Sequence, residues 1–190
     1  MTIRIDERER SRSAGGVPTS LRDLLDPATG LPGETMFYEC LASELDRASR
    51  YGESLGVLLI EGDVRGQLPD DDLDTLSAAW GQALPGLLRR MDHAFGLGRL
   101  AMGVILPHCP EQGLCARGDA LMAHFVNLRS LVLADSPAGQ VIPRAGAAVY
   151  QRGESMAFLL EQAMAGLTTA QTQDIRKVML QRHPLPEDTS

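Results

Sequence analysis

The 190-residue chain is poor in aromatic side chains, in basic residues and in long apolar runs. Phe, Trp and Tyr make up 4% of the residues, too few for a platform that stacks the bases of single-stranded nucleic acid. Lys and Arg number 18 against 25 Asp and Glu, and the formal net charge of −7 argues against a basic face for nucleic acid or anionic membranes. No apolar run reaches the roughly 18 residues of a membrane span. We therefore expect neither a nucleic-acid partner nor contact with a membrane.

Cysteine is also scarce and occurs in an odd number. Cys40, Cys109 and Cys115 are consistent with free thiols in a reducing compartment. The first twenty residues are polar and charged and lack the apolar core of a signal peptide, so the expected location is cytoplasmic. A chain of this length favours one domain with a sizeable core. The expected organisation is a flexible leader at 1–20, one domain at 21–181 and a polar tail at 182–190.

Hydrophobic periodicity indicates the order of helices and strands. It predicts helices at 34–51, 69–92, 111–131 and 155–170, and strands at 55–60, 94–97, 100–106, 141–150 and 178–180. A short helical turn is expected at 21–25, and Pro85 predicts a kink or a break in the second helix. This order predicts an α+β domain with a central, mainly antiparallel, five-stranded sheet flanked by helices.

Four short motifs follow one another along the chain. The first is Asp26-Pro-Ala-Thr-Gly-Leu-Pro32. The second is a strand-turn-strand stretch, Asp92-His-Ala-Phe-Gly-Leu-Gly98-Arg99-Leu100-Ala101-Met102-Gly-Val-Ile-Leu-Pro107. Ala145-Gly-Ala-Ala148 ends a later predicted strand, and Ala163-Met-Ala-Gly-Leu-Thr-Thr-Ala-Gln171 lies on the last predicted helix.

These motifs resemble those of the diguanylate cyclase (GGDEF) family. That family opens with Asp-x-Leu-Thr-Gly-Leu and carries Gly-Gly-Asp/Glu-Glu-Phe six residues after an aspartate, before an apolar strand ending in Leu-Pro. The resemblance covers about Asp26 to Leu180 and implies a nucleotide-cyclase-like fold. It also implies that Mg²⁺ would be held by the first acid of an Asp-x-Asp pair, here Glu61-Gly-Asp63, and by an acid of the hairpin turn.

Several groups that the family's reaction needs are replaced in this chain. The signature pentad reads Gly98-Arg99-Leu100-Ala101-Met102, so both hairpin acids and the second glycine are missing. The guanine-contacting Asn of the family aligns with Pro69, its phosphate-facing Lys aligns with Gln171, and the loop after Asp63 is shortened. Little remains that could stabilise the transition state. We therefore expect no cyclase activity and no bound cofactor.

One ligand motif of the family is retained at Arg89-Arg-Met-Asp92. In many diguanylate cyclases an Arg-x-x-Asp with this spacing to the signature binds cyclic di-GMP. A guanidinium fork suits a phosphate or a guanine edge, and a carboxylate accepts hydrogen bonds from guanine. The alternative is structural: Arg89 covers apolar surface at a helix end, and Asp92 caps the turn into the hairpin. A further family Arg before the signature is Gly96 here.

Two other clusters invite a metal interpretation. Glu61, Asp63 and the acidic run 70–72 are weak candidates for a divalent cation, and the alternative is a solvated acidic loop and helix N-terminus. Zinc is the second case, because thiols and imidazoles lie close in sequence at His108, Cys109, Cys115 and His124. Their spacing matches no closed zinc pattern, so we interpret them as ordinary loop and helix residues.

The altered turn, from Leu97 through Gly98, Arg99, Leu100 and Ala101 to Met102, has two interpretations. Leucine, methionine and arginine can form a contact surface for a protein. Alternatively, the same side chains fill the pocket that GTP would occupy.

Three functions are compatible with these residues. The leading hypothesis is a catalytically inert domain that acts through contacts with an unidentified protein partner in bacterial, cyclic di-GMP-related signalling. The second is a receptor for cyclic di-GMP at Arg89 and Asp92, and the third is GTP binding without turnover through Glu61 and Asp63 around Mg²⁺. The resemblance also implies pairing as a homodimer.

Overall fold

A computed structural model of the protein describes residues 24–134 and 139–181. The described part contains α1 (Glu34–Tyr51), β1 (Leu55–Gly66), α2 (Asp70–Leu87), β2 (His93–Gly96), β3 (Ala101–Pro107), α3 (Glu111–Val132), β4 (Gly139–Val149), α4 (Met156–Thr172) and β5 (Met179–Leu180). This confirms the predicted order of elements, and α1 has the predicted bounds. The predicted leader, most of the turn at 21–25 and the tail lie outside the described residues.

The five strands form one sheet in the order β2-β3-β1-β4-β5. The central strand β1 runs antiparallel to β3 on one side and to β4 on the other. Only β5, at the edge, runs parallel to its neighbour β4. The predicted α+β class with a mainly antiparallel five-stranded sheet is confirmed.

β1 contributes to the core on both faces of the sheet, because successive side chains of a strand point to opposite faces. Leu58 and Ile60 pack with α2 and α3, in a cluster where the rings of Trp80 and Phe125 stack with centroids 4.6 Å apart. Their neighbour Leu59 packs on the other face with α1 and α4. Each large apolar side chain that is fully buried stabilises the fold by about 1.5–3 kcal/mol.

The loop that precedes α1 is fixed by its own hydrogen bonds and by close packing. One carboxylate oxygen of Asp26 accepts hydrogen bonds from the amide and the hydroxyl of Thr29, at 2.8 and 2.7 Å. A Cβ at Gly81 of α2 would lie 2.0 Å from the Thr29 carbonyl oxygen, and one at Gly96 of β2 would lie 2.1 Å from its hydroxyl. The loop therefore packs tightly between α2 and the outer edge of β2.

Two boundaries differ from the sequence prediction by five residues or more. β1 continues past Ile60 to Gly66, because β4 pairs with it as far as Gly139. Pro85 lies in the last turn of α2, and that helix ends at Leu87 instead of reaching residue 92. None of the helices in the described ranges is both long and apolar enough to cross a membrane.

Candidate functional site

The turn between β2 and β3 is anchored to its neighbours through Leu100. The Leu100 amide donates a hydrogen bond of 3.0 Å to the Ser77 hydroxyl on α2. Its carbonyl accepts one of 2.9 Å from the Gly62 amide on β1. Leu100 has φ of 56°, a left-handed conformation that costs free energy in a leucine. The two hydrogen bonds hold this conformation, which directs the side chain into the core.

Arg99 joins the same turn to the first turns of α2. Its Nη1 lies 2.6 Å from an oxygen of Asp70, and its Nε lies 2.7 Å from one of Asp74. The hydrogen bond with Asp70 is the main cause of a raised pKa of Arg99. Both carboxylates are more than half exposed, so each pair adds little stability. The pairs nevertheless place the guanidinium between the turn and α2.

Part of the altered turn is buried, which contradicts the hypothesis that the whole turn forms a contact surface for a protein. Leu100, Ala101 and Met102 are 2%, 5% and 0% exposed, so they fill the interior and form no part of a contact surface. The physical reason is the left-handed Leu100, which turns inward against Gly62, while β3 is buried on both faces. Leu97, Gly98 and Arg99 remain partly exposed.

Glu61 faces a methyl group where a two-acid metal site would need a second carboxylate. It pairs with Ala101 across β1 and β3. Glu61 is 5% exposed, and one of its carboxylate oxygens accepts a hydrogen bond of 3.0 Å from the side-chain amide of Gln171 on α4. Gln171 is the residue at which the resemblance predicted a phosphate-facing lysine. Here the Gln171 side chain donates its hydrogen bond to Glu61 inside the protein.

Asp63 belongs to a network of two acids and two arginines. One Asp63 oxygen lies 3.0 Å from Arg65 and 3.3 Å from Arg144. Both arginines also contact Asp174, and the hydrogen bond from Arg144 is the main cause of a lowered pKa of Asp174. Arg144 further donates to the carbonyl of Ile175 at 2.8 Å. The two guanidinium groups therefore neutralise Asp63, near the end of β1, and Asp174.

Arg144 itself is fully buried. It is 0% exposed and stands on β4 directly opposite Glu61. Within the described residues its Nε has no hydrogen-bond partner. A buried cation without complete pairing is costly to the fold. Its position beside Glu61 and Asp63 places a positive charge where the resemblance predicted Mg²⁺.

Metal ligands are not assembled in the part of the chain that the structure describes. No three His, Cys, Asp or Glu side chains there are grouped as they would be around an ion, which includes Glu61, Asp63 and the acidic run at 70–72. The residues considered for zinc are His108, Cys109, Cys115 and His124, and they likewise form no such group. Cys109 is a buried free thiol, and burial raises its pKa.

The retained Arg-x-x-Asp motif is held together through its backbone. One carboxylate oxygen of Asp92 accepts a hydrogen bond of 2.9 Å from the Arg89 amide and another from Arg117 on α3. The Asp92 side chain is 1% exposed, so it caps the turn as the structural alternative proposes. The side chains of Arg89 and Arg90 are exposed, and neither forms an ion pair with any described residue.

These two arginines border an open groove of about 700 Å³ between α1, the end of α2 and β2. Its apolar lining comes from Leu31, Pro32, Met36, Pro85, Leu88, Ala94 and Phe95. Its polar lining comes from Glu39, Cys40, Arg89, Arg90, Asp92 and His93. The groove therefore combines an apolar floor with an unpaired cationic rim.

Sequence reasoning missed three residues that contact the site from distant parts of the chain. Arg144, Asp174 and Arg117 were not singled out, because pairing between residues far apart in sequence leaves no local pattern. One signal was present: Arg144 is a charged residue inside an apolar strand. Such a residue needs a buried partner.

Comparison with known proteins identifies the same family that the sequence motifs resemble. A family model described as diguanylate cyclase, GGDEF domain, matches residues 23–177. The GGDEF domain of TpbB (YfiN) from Pseudomonas aeruginosa is 26% identical, with a TM-score of 0.70 over 83% of this chain and 94% of that chain. No curated protein sequence matches the chain.

Two further solved structures share the fold. The GGDEF domain of DgcB from Caulobacter crescentus, solved with c-di-GMP, is 15% identical, with a TM-score of 0.69 over 82% of this chain and 94% of that chain. The diguanylate cyclase SiaD from Pseudomonas aeruginosa, solved with its activator SiaC, is 20% identical, with a TM-score of 0.60 over 82% of this chain and 60% of that chain. Because the family model spans most of the sequence, the chain belongs to the GGDEF family of diguanylate cyclase domains, the family of cyclic di-GMP signalling.

Proposed function

We propose that this GGDEF domain makes no cyclic di-GMP and acts in bacterial cyclic di-GMP signalling by binding another protein. The observation that carries the proposal is the buried, left-handed Leu100 in the signature turn. Its amide is bound to Ser77, and its side chain fills space inside the domain. A turn built in this way presents no acid to a metal, and its Leu100 amide is not free to bind a phosphate.

The residues present do not fit the Mg²⁺ that the family's reaction requires. A hard cation needs several free oxygen ligands. Glu61 accepts a hydrogen bond from Gln171, and Asp63 is shared by Arg65 and Arg144. A divalent ion at this position would meet the buried guanidinium at short range. The same argument disfavours GTP binding without turnover through Glu61 and Asp63.

Binding of a protein does not require the filled site, and the tip of the hairpin supports this function. Leu97, Gly98 and Arg99 remain accessible at the tip of the hairpin, and Arg99 forms ion pairs with Asp70 and Asp74. An arginine beside an apolar side chain is typical of the centre of a protein interface. SiaD, which shares the fold, forms a complex with an activator protein.

A second candidate function is a receptor for cyclic di-GMP. The exposed, unpaired Arg89 and Arg90 on the groove favour it, since guanidinium groups bind phosphates. The enclosed Asp92 weighs against it, because its side chain is 1% exposed and one of its carboxylate oxygens is bound by Arg117 and by the Arg89 amide. DgcB is a GGDEF domain that was solved with this ligand.

Catalysis is tested by incubating the intact chain with GTP and Mg²⁺ and separating the products by chromatography. We expect no cyclic di-GMP above a blank, and a product that disappears in Glu61→Gln would overturn the proposal. Calorimetric titration with cyclic di-GMP tests the receptor, which requires binding that Arg89→Ala abolishes.

The contact surface is tested separately with a partner captured by the intact chain. Arg99→Glu should abolish a purified partner's binding. The control is Arg152→Glu, which makes the same charge change at another exposed arginine. Equal binding by the two variants would remove the hairpin tip from the interface.

A further inference from the structure

We propose that the groove beside β2 is the docking site for residues 2–7 of this same chain, Thr2-Ile3-Arg4-Ile5-Asp6-Glu7. The inference goes beyond the proposed function and does not depend on whether the domain turns over GTP. It rests on the outer edge of β2 at Ala94, beyond the point where Pro32 pairs with Gly96, on the lining of the groove, and on the place where the N-terminal part of the chain joins the described fold.

β2 is an edge strand whose backbone faces the groove. The amide of Gly96 points away from β3, because it donates to the carbonyl of Pro32 at 2.9 Å. Backbone groups two residues apart along a strand point the same way. The N–H and C=O of Ala94 therefore also face away from β3, toward the groove that Ala94 lines. Pro32 already pairs with this edge at Gly96, but at Ala94 the edge can pair with an extended segment through main-chain hydrogen bonds.

The lining of the groove specifies the chemistry of that segment. Met36 and Leu88 offer apolar contact on the floor. Arg89 and Arg90 stand on one side and are exposed and unpaired among the described residues, whereas Glu39 stands on the side of α1. A fitting segment is extended, has alternating apolar side chains, and carries acids at the end that meets the arginines.

Residues 2–7 have this composition. Ile3 and Ile5 alternate with Arg4, the period that places two branched apolar side chains on one face of a strand. Asp6 and Glu7 follow directly and supply two negative charges for the two arginines. In a chain with a net charge of −7, an adjacent pair of unpaired arginines is an attractive site for them.

The connection is long enough and enters at the correct place. Sixteen residues, 8 to 23, separate Glu7 from Leu24. Leu24 lies beside the groove, because its carbonyl accepts a hydrogen bond of 2.7 Å from Gly33, the neighbour of the groove residue Pro32. Such a connection spans up to about 50 Å. A tether of this length gives an effective concentration on the order of millimolar, so a weak contact suffices.

The test uses Cys40, a partly buried thiol in the wall of the groove, as the reporter in the intact chain. Its alkylation rate is followed by peptide mass spectrometry, which separates it from the other two cysteines. Asp6→Arg/Glu7→Arg should raise this rate about five-fold, the factor expected when roughly four-fifths of the molecules are docked. Glu187→Arg/Asp188→Arg, the same charge change near the C-terminus, should leave the rate unchanged.

Exchanging the charges between the groove and the N-terminal segment makes the test specific. Arg89→Glu/Arg90→Glu should raise the rate as well, and combining it with Asp6→Arg/Glu7→Arg should restore protection. Hydrogen exchange at the Ala94 amide should follow the same order, with the rest of the sheet unaffected. Equal rates in all variants would overturn the proposal, and so would protection lost on about a hundred-fold dilution, which would indicate exchange between copies. GTP turnover would change none of these results, so the two proposals fail independently.

Discussion

Glu61 lies directly opposite Ala101 across β1 and β3. One partner of this pair is a buried acid and the other a methyl group, at a place where the family's chemistry would need two carboxylates. The acid has not been left free, because Gln171 donates a hydrogen bond to it and Arg144 stands opposite it on β4. The site has therefore been rebuilt around an internal cation and an apolar turn.

The hydrogen bond from the Leu100 amide to Ser77 should contribute measurably to stability. Ser77→Ala leaves a buried amide without its partner, which costs about 1–3 kcal/mol of unfolding free energy. Thr75→Ala is the matched control, because the Thr75 hydroxyl donates to the Asp71 carbonyl on the exposed side of the same helix. Urea denaturation of both variants decides the matter. Equal losses would mean that the turn is not anchored through Ser77.

Arg144 should be far more important to the fold than Arg65, although both bind Asp63 and Asp174. Arg144→Met leaves Asp63 and Asp174 with Arg65 alone and the Ile175 carbonyl without its donor, at a cost of about 1–3 kcal/mol. Arg65→Met removes a half-exposed partner and should cost at most about 1 kcal/mol. Chemical denaturation compares the two variants. A loss of stability in Arg144→Met no larger than that in Arg65→Met would contradict this ranking.

Restoring the missing acid should not restore metal binding by itself. Ala101→Glu places a second carboxylate opposite Glu61, but the guanidinium of Arg144 still lies next to that position. Only Ala101→Glu combined with Arg144→Ser should show a melting temperature that rises with Mg²⁺. A rise of the same size in Ala101→Glu alone would show that Arg144 does not exclude the ion.

Acid should weaken the fold through Asp174. Its pKa is lowered, chiefly by the hydrogen bond from Arg144, so its carboxylate stabilises the folded state. This contribution is fully present above the ordinary pKa of 3.8 and is lost as the pH falls through the lowered pKa of the folded protein. The difference in unfolding free energy between the native chain and Asp174→Asn should therefore shrink below that range. Parallel curves at all pH values would contradict this assignment.

Local patterns predicted the elements well and their long-range consequences poorly. The apolar spacing from Glu34 to Tyr51 placed α1 correctly, because one helix face meets the core. The end of β1 was missed because Gly66 is held in the strand by Gly139, far along the chain. The altered pentad was visible in the sequence. Whether Leu100 points outward or inward depended on its left-handed backbone and on Ser77, which no spacing reveals.

We propose that the domain's own side chains occupy the place that a nucleotide and a metal ion take in a diguanylate cyclase. Calorimetric titration of the intact chain with GTP in the presence of Mg²⁺ is the decisive test. We predict no binding heat and no thermal shift. Saturable binding that requires Mg²⁺ and is lost in Glu61→Gln would contradict the claim, because it would show that the Glu61 carboxylate remains available to an ion.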